Sequence, residues 1–368
     1  MTETVALRKR QWVSLPGGSV DVRLGNGVLD EASPVFKGAV GRPRASVLLA
    51  GEDVSDDVVE LLHRQLTDAG FTVTPVTVAA GICVRDSKTV MELLDKLADA
   101  QVTADDLMVA AGDVDVLSLA SYLCAQWCGG MPLALVPTSV TALIEALITP
   151  RGINVGGRER ILTLRPAAKH AFFDTNIALG DTSSEDAIMA RVLMVATAMC
   201  DSETSFSRLW DRTEGICAGD GTILCEQLQD TLKSRGKIVS STALALRQSI
   251  TYGESFAVAL TRLVPDVAPS TARAEALRFQ ARLAAGEGMF EVDDVLAQDE
   301  LLDQLGAGYV QAGIEPADLI AAVREVRLER SNRFLMGLPR KLGRVRLASI
   351  TDELIAEHAA AWCASRAV

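Results

Sequence analysis

Short apolar runs alternate with helically spaced apolar positions through the first half of this chain. The run 107–112 is continuous and ends at Gly112. Val116, Leu119, Ala120, Leu123 and Trp127 then recur at helical spacing, and a second continuous run, 132–137, ends in Pro137, Thr138 and Ser139. Runs of this length, uniformly apolar and separated by helices, predict parallel strands covered on both faces. The same pattern predicts strands at 20–25, 46–53, 71–78 and 168–175, with helices at 28–36, 54–70 and 86–100. Asp86 or Ser87 is the expected cap of the last helix. Ligands of such sheets bind at the C-terminal ends of the strands, so the stretch 105–174 is expected to frame the site.

From about residue 183 the period changes. Segments 185–200, 221–240, 241–263, 270–286 and 315–330 all read as helices, with no strand pattern between them. The expected architecture is an α/β N-terminal domain with a parallel, Rossmann-like sheet, residues 1–180, nucleotide-binding-like in pattern. An all-α domain, 181–368, follows, and a ligand cleft is expected where the domains meet.

Composition narrows the partners. A chain of 368 residues, 49% hydrophobic, can bury more than one core. A net charge of −12 argues against nucleic acid, which needs a basic face. No apolar run reaches the ~18 residues of a membrane span. The N-terminus, MTETVALRKRQW, lacks the apolar segment of a secretory signal. Seven cysteines without tight spacing fit free thiols, so a cytoplasmic location is expected.

Gly112-Asp113-Val114-Asp115, Gly129-Gly130, Val136-Pro137-Thr138-Ser139, Glu145-Ala146-Leu147 and Gly152-Ile153-Asn154 occur in that order. In order and spacing this text resembles the 3-dehydroquinate synthases and related sugar-phosphate cyclases, and weaker likeness extends over most of the chain. The resemblance implies the two-domain fold above and a homodimer formed through the N-terminal domain. It also implies a site built from NAD, one divalent cation and a phosphorylated substrate.

Several of the family's chemical positions differ here. The family has three consecutive glycines in its nucleotide turn; this chain keeps Gly112 and has Asp113 and Val114 after it. A carboxylate and a branched side chain oppose close approach of a pyrophosphate. Glu52, Lys88, Gly112, Thr138 and Ser139 lie near positions the family uses for NAD, and would serve if the cofactor is retained. In the segments that carry the family's metal ligands stand a Leu or Val within 191–200, Ile250 and Arg273, and the three histidines, His63, His170 and His358, lie elsewhere. The expectation is therefore no catalytic zinc and no cofactor requirement.

Positive charge remains. Arg151 and Arg158 follow the loop where the family has lysines, and Lys233, Lys237, Arg247 and Arg273 lie in the helical segments. Arginine grips carboxylate or phosphate through a fixed fork of donors. Glu145, Glu254 and Glu275 are the candidate acid or base groups, with Tyr252 as a proton donor. These residues suit an enzyme that performs an elimination, cyclisation or rearrangement on a small anionic metabolite, in secondary metabolism. The alternative is a catalytically silent relative acting as a binding or regulatory subunit.

Overall fold

The computed structural model describes residues 8–367; residues 1–7, part of the stretch read above for a signal, lie outside the described residues. The chain divides into two compact units, Met1–Gly180 and Asp181–Val368.

The first unit is built on a seven-stranded sheet. Its strands are β1 (Arg8–Leu15), β2 (Gly18–Gly25), β3 (Ala45–Gly51), β4 (Thr72–Val78), β5 (Leu107–Gly112), β6 (Leu133–Pro137) and β9 (His170–Asp174). A short hairpin, β7 (Ile153–Val155) with β8 (Arg158–Leu162), stands apart from it. The sheet order is β1-β2-β9-β6-β5-β3-β4. All neighbours are parallel except β1, which pairs antiparallel with β2 through a tight turn at Pro16 and Gly17. Every residue of β5 and β6 is buried, which is why those strands read as unbroken apolar runs.

The helices of this unit are α1 (Ser33–Val40), α2 (Asp56–Ala69), α3 (Ser87–Asp99), α4 (Val114–Gln126), α5 (Val140–Ala146) and α6 (Thr175–Ala178). Asp86 caps α3 by accepting the Lys88 N–H at 2.9 Å, and Gly70, at φ 97°, ends α2 in the left-handed region that glycine reaches at little cost. Phe36 of α1 meets Phe172 of β9 edge-on at 5.3 Å within one core that also holds Leu62, Leu66 and Val109. Strands β1, β7 and β8 are additional to those expected: β1 is largely polar, and β7 and β8 are short.

Asp21, on β2, is buried and held by Arg10 at 2.8 Å and Arg23 at 3.4 Å. Burial alone raises its carboxyl, but the Arg10 hydrogen bond and the charges of Arg23 and Arg10 outweigh that and leave it below the ordinary carboxylate range. A group lowered on folding contributes stability above its unfolded value, ~3.9, and loses it as pH falls through the folded value. Denaturant midpoints measured from neutral pH down to about pH 3 are expected to fall less steeply in Asp21→Asn than in wild type. Parallel profiles would contradict this.

The second unit is helical: α7 (Glu185–Asp201), α8 (Glu203–Asp211), α9 (Thr213–Cys217), α10 (Gly221–Val239), α11 (Leu244–Ser249), α12 (Glu254–Leu263), α13 (Pro269–Gly286), α14 (Val292–Gln304), α15 (Pro316–Leu328) and α16 (Asp352–Arg366). Two findings differ from the expected pattern. The segment 241–263 is two helices, because Gly253 at φ 83° turns the backbone out of the helical region before α12. The unit is also not wholly helical: β10 (Met336–Lys341) and β11 (Arg344–Ala348) form an antiparallel hairpin around Gly343. Among the described residues no helix is long and apolar enough to cross a membrane.

Candidate functional site

The strand register of the first unit brings the ends of β3, β5 and β6 to one edge, pairing Ala50 with Ala111 and Gly112 with Pro137. Glu52, Gly112, Thr138 and Ser139 therefore share that edge. Gly112 is at φ 149°, and a Cβ there would lie 3.1 Å from Val116, so only glycine suits this turn. The Thr138 N–H bonds the Gly112 carbonyl at 3.1 Å, and Ser139 caps α5 through the Ala142 N–H at 3.1 Å. Glu52 is exposed just beyond β3, and the exposed Lys88 opens α3.

Asp113 occupies the start of α4. One carboxylate oxygen accepts the N–H groups of Asp115 and Val116 at 2.9 and 2.8 Å, and the other accepts that of Gly81 at 2.9 Å. Helix-terminal donors that would otherwise face an anion are thus satisfied from within the chain.

Glu145 and Arg151 meet beside this edge. Arg151 Nη2 lies 2.6 Å from Glu145 Oε2 and Arg151 Nη1 lies 3.5 Å from Asp115. Burial opposes the Arg151 charge, but the two carboxylates outweigh it and raise the guanidinium above its ordinary value. Arg151 is a permanent cation with its charge balanced locally. Arg158 sits apart, exposed on β8, opposite Val155.

In the second unit the predicted cations separate. Lys237 is exposed and pairs with Asp201 at 2.9 Å, and Arg247 is exposed on α11. Arg273 is half-buried near the start of α13. That helix is anchored to α7 by Ser270, whose N–H and hydroxyl both donate to Glu185, at 2.6 and 2.7 Å. The missing side chain of Gly253 makes room for Leu277, since a Cβ there would lie 2.8 Å from its Cδ2, with Arg273 Nε in ordinary contact at 3.4 Å. Glu275, expected as an acid or base, is instead a core ion-pair residue. It is fully buried, accepts the Trp362 indole N–H at 2.7 Å, and meets Arg366 at 3.1 Å and Arg278 at 3.5 Å. Tyr252 is likewise buried, its hydroxyl bonded to Gln298 at 2.8 Å.

Two arginines that the sequence reading did not single out join Arg273. Arg235 of α10 is buried and donates to Thr197 Oγ1 at 3.1 Å. Arg346 of β11 is half-buried. The elements that carry these three arginines, α10, α13 and β11, all pack against α7, where the Cys200 thiol bonds the Ser249 carbonyl at 3.2 Å. Burial pushes that thiol up to about 12, while the Ser249 bond and the three arginines pull the other way. The signal for Arg235 was available: Leu228, Leu232, Arg235 and Val239 fall on one buried stripe of α10, and Lys233 and Lys237 do not.

Residues 75–176 match the family model described as 3-dehydroquinate synthase N-terminal. A 3-dehydroquinate synthase from Synechococcus is 22% identical over 370 residues, covering 93% of this chain and 94% of that one. One from Roseobacter denitrificans is 25% identical over 251 residues, covering 67% of each. Among solved structures, 2-deoxy-scyllo-inosose synthase complexed with carbaglucose-6-phosphate, NAD+ and Co2+ superposes with a TM-score of 0.81 at 15% identity, covering 95% of this chain and 99% of that one. The 2-epi-5-epi-valiolone synthase of Streptomyces hygroscopicus with NAD+ and Zn2+ bound gives 0.80 at 16% identity, covering 96% and 99%.

These findings go against the expectation of no catalytic zinc and no cofactor requirement, because both of those similar solved chains hold NAD+ and a divalent cation. Gly112 leaves this edge without a side chain where a dinucleotide would approach, but the Asp113 carboxylate already takes the N–H groups at the start of α4 and would meet a pyrophosphate with like charge. A metal fits the described residues less well. Ile250 and Arg273 offer no metal donor, and among the described residues no group of three or more His, Cys, Asp or Glu side chains is placed to hold an ion.

Proposed function

We propose, from the premise that this chain is a relative of the 3-dehydroquinate synthases and sugar-phosphate cyclases, that it is a cyclase- or lyase-type enzyme. Its substrate is a small anionic metabolite, and its setting is secondary metabolism. The observation that supports the anionic substrate is that α10, α13 and β11 each pack against α7 and carry Arg235, Arg273 and Arg346, of which Arg235 bonds Thr197 of α7. Three guanidinium groups in a partly desolvated site form a strong attractor for phosphate or carboxylate. The setting is supported by the likeness to 2-deoxy-scyllo-inosose and 2-epi-5-epi-valiolone synthases.

The residues divide the work. Arg235, Arg273 and Arg346 hold the anionic group and balance charge that builds on it during bond cleavage. Glu52, Gly112, Thr138 and Ser139 would hold NAD, which when bound supplies a hydride acceptor. Glu145 and Arg151 present a carboxylate and a fixed cation side by side, suited to orienting a hydroxyl-rich substrate.

The test is thermal. Inorganic phosphate is expected to raise the melting temperature with the logarithm of its concentration, giving about 2.7 kcal/mol of stabilisation at a hundredfold excess over its dissociation constant. Arg273→Ala should remove the shift and Arg273→Lys should keep part of it. A wild-type protein indifferent to phosphate, sulfate and carboxylates would overturn the anionic-substrate reading.

A further inference from the structure

Arg85 is among the most deeply buried charged side chains of the first unit, only 1% exposed, and its guanidinium reaches three ways. Nε bonds Asp115, in the first turn of α4, and Nη1 bonds both the Gly152 carbonyl and Asn154 Oδ1, the latter at 3.2 Å. Burial opposes its charge and lowers it from the usual guanidinium value, with Asp115 as the main offset.

Each partner leads on to another arginine. Asp115 also meets Arg151, whose other edge grips Glu145 at 2.8 Å and whose backbone N–H donates to Ser118 Oγ at 2.9 Å. Asn154 Oδ1 also accepts the backbone N–H of Arg160 at 2.9 Å. Arg160 is held at φ 54°, a left-handed conformation that a side-chain-bearing residue keeps only when its surroundings enforce it. Gly152 closes the arrangement, since a Cβ there would lie 2.6 Å from the Leu162 carbonyl and 2.8 Å from that of Arg160. One buried guanidinium thus ties the start of α4 to both ends of the segment 151–160.

We propose that Arg85 is a positioning residue, which through Asp115 and Asn154 fixes the direction in which Arg151 and the Arg160 segment face a bound anionic ligand. Lysine carries the same charge, but its single ammonium cannot present the planar fork that meets these separate acceptors together. What Arg151 faces rests on the reading of the chain as an enzyme of an anionic metabolite; the placement of Arg151 does not.

The experiment compares Arg85→Lys, Asp115→Asn and Asn154→Ala with wild type. Its main readout is the nitrogen-15 NMR signal of the Arg151 Nε–H, identified by its loss in Arg151→Lys. Arg85→Lys and Asp115→Asn are expected to shift that signal and speed its hydrogen exchange by at least about tenfold, as local opening does. Asn154→Ala is expected to speed exchange of the Arg160 amide while leaving Arg151 in place. A global loss of stability alone would not separate the two arms in this way. An Arg151 signal unchanged in whichever of Arg85→Lys and Asp115→Asn folds would overturn the proposal. A phosphate titration of the same samples keeps the two readings apart. If wild type shows no phosphate response while the Arg151 signal still moves, the substrate reading fails and the positioning role stands.

Discussion

Glu275→Ala is expected to cost about 3–5 kcal/mol, the range for removing one member of a buried charge network. Glu275 is fully buried between Arg278, itself 1% exposed, and Arg366, and it accepts the indole N–H of Trp362. Removing it leaves the Arg278 charge with Asp303 at 2.6 Å and the Gly308 carbonyl at 2.7 Å, and removes the link between α13 and α16. Glu275→Gln keeps an acceptor for Trp362 while losing the charge, so its loss should be smaller. Denaturant unfolding measures both, and a midpoint within error of wild type for Glu275→Ala would show that this network is not formed in solution. Under the proposed function phosphate should still stabilise Glu275→Gln, because Glu275 is a core residue and is not among the arginines proposed to hold the anion.

Gly343→Ala is expected to be as damaging, at least about 3 kcal/mol, from two additive causes. Gly343 sits at φ 76° in the turn between β10 and β11, a conformation that costs little only for glycine. Its Cα also lies against the backbone where α7 passes into α8, so a Cβ would fall within van der Waals contact of Ser202 Cα and the Ser202 carbonyl carbon. Neither is the movable end of a side chain, so the hairpin must retreat. The hairpin carries Arg346, so the substitution should also blunt the response to phosphate. Gly17→Ala makes the comparison: Gly17 also has positive φ, 91°, but nothing lies within 4 Å of its would-be Cβ. Equal losses at the two positions would remove the packing cause.

The parallel sheet and the order of its helices were legible because the information is local. A strand buried on both faces, such as β5 or β6, must be apolar at every position, and that leaves a mark no other element of its length makes. Caps are equally local: Asp86 and Gly70 stand where the helices begin and end. β1 escaped because it pairs on one side only and two of its four less exposed positions are Lys9 and Gln11, so its polar content masks the alternation. The long helix expected over 241–263 failed at one residue. A single glycine is tolerated inside helices, and only the fold shows that Gly253 takes φ 83° and sits against Leu277.

The candidate site was readable by residue type but not by residue. Arginine and glutamate in these helices announced charge, and the family's spacing pointed to Arg273. The chain could not say that Glu275, two positions along the same helix, faces inward to Trp362 and Arg366, because those partners lie about ninety residues away. Nor could it say that Arg235 rather than Lys237 belongs with Arg273. Two residues apart on a helix means roughly opposite faces, and which face is inward depends on what packs against α10. Arg85 is the clearest case. Its partners Asp115 and Asn154 are 30 and 69 residues distant, so its role exists only once the chain has closed on itself. Burial and periodicity are properties of neighbours in sequence, and they carry the architecture; the pairing of charges is a property of neighbours in space, and it waits for the fold.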